Sequence, residues 1–465
     1  MKKENKILIL ILVLGLSLRL IDINEHYVGH HNWKESESGL IARYFYENHN
    51  YNIFYPHFDD VPTEEPNYAF QIGPWLAALL YNVFGVKEWV GRSISIIFSI
   101  GCIYLTYLIS KKWFNERIAL LSSYLMAIMP AQAFFGRNFQ PESISLFFAM
   151  LSIYFLIKNY DKNKRKAILL SSTSLMIGAL AKIVMLTTLL PIFVFILIKE
   201  KKVIKTIFPV FLISVISITP ALSYMIWKYD TATKYNPEWR KYLLMPSFYF
   251  EHVKRAGSEI LGPAIALLFL LSLLDLKLRK EKDLILISWV IAYILIIFIT
   301  GRGALANSYY LFPVCAPISI LVSKTLNKFL FSHKENKYIS LLFLMIITLF
   351  TLKFTIYLFM MKDMALYEGG IAINRITEPN DLWIFSQIEK GRDFFVPTVV
   401  YYADREALYW HHNNEEELRE FLNNSQVKAV LLLRDYSYIK PELMILIMNE
   451  YQLINETKDF LVFKK

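Results

Sequence analysis

The stretch Lys6–Ser38 reads KILILILVLGLSLRLIDINEHYVGHHNWKESES. Its first part, to about Ile23, is apolar over roughly the ~20 residues that cross a bilayer. Its second part is polar and carries two carboxylates, Glu35 and Glu37, beside Trp33 and Lys34. Lys2, Lys3 and Lys6 precede the apolar part. That order could describe a cleaved leader. However, Ser17-Leu18-Arg19-Leu20-Ile21-Asp22 is not a small-residue cleavage site, and further apolar runs follow. The segment reads as an uncleaved first membrane helix with a polar loop beyond it.

The rest of the chain repeats this alternation. Of its 465 residues 55% are hydrophobic and only 19% charged. Apolar runs fall at roughly 6–23, 90–110, 117–135, 142–158, 166–181, 183–199, 204–227, 260–276, 283–300, 305–323 and 338–361, about eleven spans. Residues 70–85, interrupted by Gly73 and Pro74, are expected to form a juxtamembrane or partly inserted helix. The net charge of +10 does not point to nucleic acid, because the Lys and Arg residues cluster in every second connection. With the N-terminus cytoplasmic, those connections carry Lys111-Lys112, Lys162–Lys166, Lys199–Lys205, Lys277–Lys282 and Lys324–Lys337. This orientation puts the loop 24–70, Glu142, Lys182, Arg302 and the tail after Met361 outside. Cys102 and Cys315 lie in apolar runs and suggest no disulfide framework.

The tail from about 365 to 465 changes character. Asp381–Phe385, Val399–Tyr402 and Val427–Leu433 read as strands, and Asn414–Leu422 and a segment opened by Pro441 as helices. The expected architecture is an α-helical polytopic membrane protein. A transmembrane domain, 1–361, carries an outer catalytic loop at 24–70, and a small extracytoplasmic α/β domain follows at 365–465.

Several segments together resemble a known family. Trp33-Lys34-Glu35-Ser36-Glu37-Ser38-Gly39-Leu40-Ile41-Ala42-Arg43 is similar to the first-loop signature of polytopic, GT-C-type glycosyltransferases that use lipid-phosphate sugars. Glu64-Glu65-Pro66-Asn67-Tyr68, leading to Trp75, resembles the family's proline-containing stretch, and Phe84–Arg92 the segment after it. Arg137-Asn138-Phe139-Gln140-Pro141-Glu142 resembles the second acidic loop, and Gly178–Lys182 the turn that ends in lysine. Asn307–Pro313 resembles the late Tyr-Leu-Pro segment. The group is the dolichyl-phosphate-mannose protein mannosyltransferase-like family, which includes the lipid A aminoarabinose transferase. The resemblance covers about residues 6–325. Two departures stand out: the family usually has Asp where this chain has Lys34-Glu35, and commonly Asp where it has Glu142.

The resemblance implies transfer of a sugar, with inversion, from a polyprenyl-phosphate donor to an acceptor on the extracytoplasmic face of the plasma (inner) membrane, the acceptor being a glycan, a lipid or a protein. Such a reaction needs a carboxylate to take or orient the acceptor's proton. It needs cations to neutralise the departing phosphate and an apolar groove for the prenyl tail. Glu35 is the first choice for the base, with Glu37 its competitor. Glu142 could be a supporting acid, an acceptor-binding group or a ligand for a divalent cation; no cofactor is otherwise assigned. Lys182, Arg137 and Arg302 are the candidates for phosphate, and Tyr309, Tyr310 and Trp33 for substrate.

Each assignment has a plainer reading. Glu35, Glu37 and Glu142 could merely favour a helix N-terminus. Lys182 could snorkel from a hairpin, and Arg302 could be a loop charge between Gly301 and Gly303. His30 and His31 are too weak a pair to define a metal site, and Arg19 and Arg92 are expected to pair with loop acids. Asp404, Arg405, Glu406, His411 and His412 read as solvated surface. Two rival functions are a transporter or flippase of a lipid-linked substrate, and a non-catalytic binder of it. No internal repeat supports the transporter, and the acids fall in loops rather than at mid-membrane.

Overall fold

The computed structural model describes residues 3–54, 70–228, 239–277, 280–331 and 337–465. All eleven expected apolar runs are helical. Seven helices among the described residues are long and apolar enough to cross a membrane, or eight if a bent pair counts as one span. The three expected runs outside that set are helical for shorter or more charged stretches. Lys3–Leu20 carries Lys3, Glu4, Lys6 and Arg19, and Lys164–Ala181 opens on three cations. The run 117–135 is split, because Pro130 starts a second short helix, Pro130–Phe134, after Glu116–Ile128. The bent pair joins Pro246–Ile260 to Pro263–Leu274 at 116°. The protein is thus a multi-pass membrane protein.

Two boundaries differ from expectation. Gly73 and Pro74 do not break the segment 70–85. They lie in the first turn of the helix Ile72–Phe84, where proline's missing N–H costs nothing. The run 305–323 opens as a 3-10 helix, Ser308–Val314, and continues as Cys315–Phe331. Lys324 and Lys328, expected in a connection, are inside that helix. Asp283 and Asp275 of neighbouring segments pair with them there.

The chain divides into two compact units, and the division is not linear. One comprises 1–23, 68–73 and 92–359; the other comprises 24–67, 74–91 and 360–465. The loop after the first helix therefore groups with the tail. Glu64–Tyr68, part of the family-like proline stretch, lies outside the described residues.

In the helical unit, the helices Glu142–Asn159 and Lys164–Ala181 pack closely. A Cβ at Gly178 would lie 3.0 Å from the Ser145 carbonyl oxygen and 3.3 Å from the Ala149 nitrogen. Only a small residue allows that approach, as is usual where helices associate in lipid. Ser152 and Ser171 hydroxyls join the pair at 2.8 Å. Arg19, fully buried, does not pair with a loop acid as expected. Its guanidinium donates to the Ser99 hydroxyl at 2.7 Å and to the Gly15 carbonyl at 2.8 Å. Arg92 donates to the Asp22 and Ile23 carbonyls.

The second unit is built on one mixed sheet. Its strands are β1 (Leu382–Glu389), β2 (Arg392–Asp393), β3 (Ala407–Tyr409), β4 (Val427–Arg434), β5 (Gln452–Glu456) and β6 (Phe460–Lys464). The order is β2-β1-β4-β6-β5, with β3 also on β1. β1 runs parallel to β3 and β4, and β6 is antiparallel to β4 and β5. Both faces are covered. One buries Ile384, Val430 and Leu432 with Leu418, Leu422 and Ile447 of the helices Glu415–Asn423 and Pro441–Glu450. The other buries Trp383, Phe385 and Leu431 with Leu366 and Ile373 of the helix Met364–Ile376 and with Val399 and Val400. Burial on both faces explains the unbroken apolar run of β4.

Val399–Tyr402, expected as a strand, is instead a helix, Thr398–Ala403, every residue of which is buried. Pro397 supplies its N-cap. A short run of β-branched and aromatic residues does not separate strand from buried helix by periodicity alone.

Candidate functional site

In the helical unit the candidate residues assemble at a helix break. The helix Lys164–Ala181 ends at Lys182, whose extended backbone precedes the 3-10 turn Ile183–Thr188. The Lys182 ammonium reaches the Glu142 carboxylate through Oε1. It also lies 4.6 Å from the Tyr309 ring centroid and 4.4 Å from that of Tyr310. Lys182 does not snorkel. Its side chain is 14% exposed and that of Glu142 1%, so the pair is desolvated and each charge depends on the other. A cation over aromatic faces gains further where water is excluded. The structure thus joins a candidate acid, a candidate phosphate-binding cation and two candidate substrate-binding tyrosines.

Arg137, in the loop before Glu142, is almost fully buried. It donates to the Ile21 carbonyl and lies 4.5 Å from the Phe359 ring centroid. Arg302 opens the short helix Arg302–Ala306; its side chain is outside the described residues.

The first-loop signature lies in the other unit, where it forms a helix, Asn32–Glu47. His31 precedes it with φ 58°, a left-handed residue, and its ring lies 3.9 Å from that of His30. Among the described residues no three of His, Cys, Asp or Glu come together as a metal-binding group. Glu35 is 1% exposed and Glu37 4%. Glu37 is held by Lys34 one turn away, Oε2 to Nζ 2.6 Å. Lys34 also sits 4.4 Å from the Trp33 ring centroid, and Trp33 packs against the sheet cluster.

Contacts with distant segments of the same unit hold this helix. Gly39 faces Tyr27 and Tyr401: a Cβ there would lie 2.8 Å from a ring carbon of each. The Ser36 hydroxyl meets the Thr398 hydroxyl at 2.8 Å. Arg43 donates to the Tyr401 carbonyl at 2.9 Å and to Asp404 at 2.6 Å. Asp404, read as solvated surface, is therefore half of a clamp. The Tyr402 hydroxyl donates to Glu88 at 3.0 Å and accepts from the Tyr27 N–H at 2.6 Å. Burial, and then the Glu88 carboxylate, hold that hydroxyl far above the usual tyrosine range, so it stays protonated as a donor. His411 and His412 pair with Glu417 and Asp393 at 3.1 and 2.8 Å. The only sequence signals were small residues, Ser36 and Gly39, at positions a helix would otherwise fill with larger ones.

The family model for dolichyl-phosphate-mannose-protein mannosyltransferase matches residues 71–227, which include Arg137, Glu142 and Lys182. The crystal structure of ArnT from Cupriavidus metallidurans in the apo state is similar over 98% of this chain and 97% of its own, with TM-score 0.67 and 13% identity. The same protein bound to undecaprenyl phosphate gives the same values. The fold is that of the GT-C-type glycosyltransferases. The apo oligosaccharyltransferase of Archaeoglobus fulgidus shares the GT-C-type architecture over 93% of this chain and 70% of its own, with TM-score 0.62 and 13% identity. An uncharacterized protein of Aquifex aeolicus (strain VF5) is 32% identical over 97 residues. That match spans 20% of this chain and 23% of the relative.

Proposed function

We propose that this protein is a membrane glycosyltransferase that moves a sugar from a polyprenyl-phosphate donor to an acceptor hydroxyl on the extracytoplasmic face, with inversion. The observation that carries the reading is the desolvated Lys182–Glu142 pair over Tyr309 and Tyr310, inside the stretch that matches the family model. The undecaprenyl phosphate bound by the similar ArnT supports the donor class.

In this reading Glu35 takes the proton of the acceptor hydroxyl. The acceptor oxygen attacks the anomeric carbon as the bond to the phosphate oxygen breaks, and polyprenyl phosphate leaves with the bonding electrons. Lys182, with Arg137 and Arg302, neutralises the departing phosphate. Trp33 and the two tyrosines bind substrate. Glu142 holds the Lys182 ammonium in place. No cofactor is assigned; a divalent cation at Glu142 would reveal itself as transfer sensitive to chelators. The acceptor is a glycan, a lipid or a protein, and the tail and the loop 24–70 face outward with it.

The test is transfer by the purified protein in proteoliposomes. Polyprenyl-phosphate sugars are supplied with candidate acceptors, and products are read by mass spectrometry. Turnover that depends on Glu35 and Lys182 is expected. Movement of the intact donor across the bilayer without any bond cleavage would overturn the reading in favour of a flippase.

A further inference from the structure

The turn between the helices Pro130–Phe134 and Glu142–Asn159 holds polar groups that the proposed chemistry does not use. Asn138 is 0% exposed, Gln140 2% and Glu142 0%. Both side-chain atoms of Asn138, both of Gln140 and Oε2 of Glu142 are buried and lack a hydrogen-bond partner among the described residues. The other carboxylate oxygen, Oε1, is taken by Lys182. The backbone tightens the turn, the Gln140 N–H donating to the Asn138 carbonyl at 2.7 Å. The three side chains thus occupy alternate positions of a five-residue stretch whose last member holds Lys182.

Buried polar atoms are nearly always paired, because leaving one unpaired forfeits its hydration with no return. Five on three neighbouring side chains mark either a structural defect or a binding surface. Their chemistry narrows the ligand. Two amide nitrogens can only donate, and two amide oxygens and a carboxylate oxygen can only accept. A bare anion would use the nitrogens and be repelled by the oxygens; a bare cation would do the reverse. A group rich in vicinal hydroxyls satisfies both, since each hydroxyl donates once and accepts as well.

We propose that Asn138, Gln140 and Oε2 of Glu142 form the subsite for the sugar ring of the donor, and that this turn sets which sugar is accepted. The proposal rests on the donor class argued above. Lys182 then takes the phosphate end, and the turn reads the hydroxyls of the attached ring.

Replacing the amides by apolar side chains of similar volume separates binding from structure. Asn138→Leu and Gln140→Met, singly and together, are made in the full-length protein in nanodiscs. The probes are polyprenyl phosphate alone and the same lipid carrying glucose, galactose, mannose or 4-amino-arabinose. Binding is read by titration and stability by thermal unfolding without ligand. The wild type is expected to bind at least one sugar-bearing lipid more tightly than the bare lipid. Each substitution should cut that preference by roughly tenfold and leave bare-lipid affinity unchanged. Unfolding temperatures should hold or rise, because an unpaired buried amide is removed.

A marked fall in unfolding temperature without ligand would overturn the proposal, since it would show the amides already paired within the protein. So would an unchanged sugar preference in the double variant, or a wild type that binds bare and sugar-bearing lipids alike. Absence of binding to polyprenyl phosphate in any form would instead sink the donor class, and the subsite with it.

Discussion

Glu35 and Glu37 are two residues apart on one helix, and their surroundings separate them. Glu37 is engaged by Lys34 at 2.6 Å, which gives it a structural task. Glu35 is buried as well, and in the proposed mechanism it takes the acceptor's proton. Glu35→Gln is therefore expected to lower transfer by roughly the 10²–10⁴-fold of a lost proton acceptor, with unchanged membrane levels. Glu37→Gln should lower it far less. Steady-state rates of the two variants decide the matter, and a dead Glu37→Gln beside an active Glu35→Gln would reverse the assignment. Lys182 has a double role. Lys182→Ala strands the buried Glu142 carboxylate, so beyond weaker use of donor it should cost about 3–5 kcal/mol of stability. Lys182→Met combined with Glu142→Gln should recover most of the stability and none of the transfer. Thermal unfolding and kcat/KM measured on the same samples test both halves.

At the scale of elements, the helix Asn32–Glu47 is placed by the segment Thr398–Ala403, which lies more than three hundred residues later in the chain. Gly39 permits that contact, and Ser36 and Arg43 fasten it on either side. Gly39→Val would force its side chain into the Tyr27 and Tyr401 rings. Overpacking of this kind costs about 1–3 kcal/mol. The expected result is an inserted protein with faster amide exchange over both helices and a lowered kcat, while bare-lipid affinity holds. Unchanged exchange and kcat together would show that the contact does not position the helix. Arg43→Lys keeps the charge but replaces the planar guanidinium, whose Nη1 donates to both the Tyr401 carbonyl and Asp404, with a compact ammonium, and should give a milder form of the same defect.

For the whole molecule, the tail and the first loop belong together. The sheet and its flanking helices form one compact unit with the loop that bears Glu35. Truncation after Met361 is thus expected to abolish turnover of every acceptor, including water, while the spans still insert. Full activity on any acceptor would show that Asn32–Glu47 holds its conformation without the tail. The orientation is tested separately. Cysteines placed at exposed sites near Asn32, such as Asn48, and at Asn414 should react with an impermeant reagent from outside, and those at Asn163 and Lys201 should not. Cys102 and Cys315 are both fully buried, so background labelling should be low. Protection of the Asn414 site would overturn an outward tail.

Much of this protein could be read in order along the chain. Membrane helices are written locally, because an apolar run of sufficient length must satisfy its own backbone in lipid. All eleven runs are helical for that reason. β1, β4 and the helix capped by Asn414, whose side chain accepts from the Glu417 N–H, were legible for similar local reasons. The meeting of Glu142 with Lys182 was legible only as two separate motifs. What joins them is the close packing allowed by Gly178. The hairpin of β5 and β6 and the helical state of Thr398–Ala403 were not legible, because short elements take their conformation from the surface they cover. The clamp of Ser36, Gly39 and Arg43 on the tail was beyond the sequence altogether. Its partners, Thr398, Tyr401 and Asp404, are ordinary residues on their own, and only folding brings them within hydrogen-bond distance of the helix that carries Glu35.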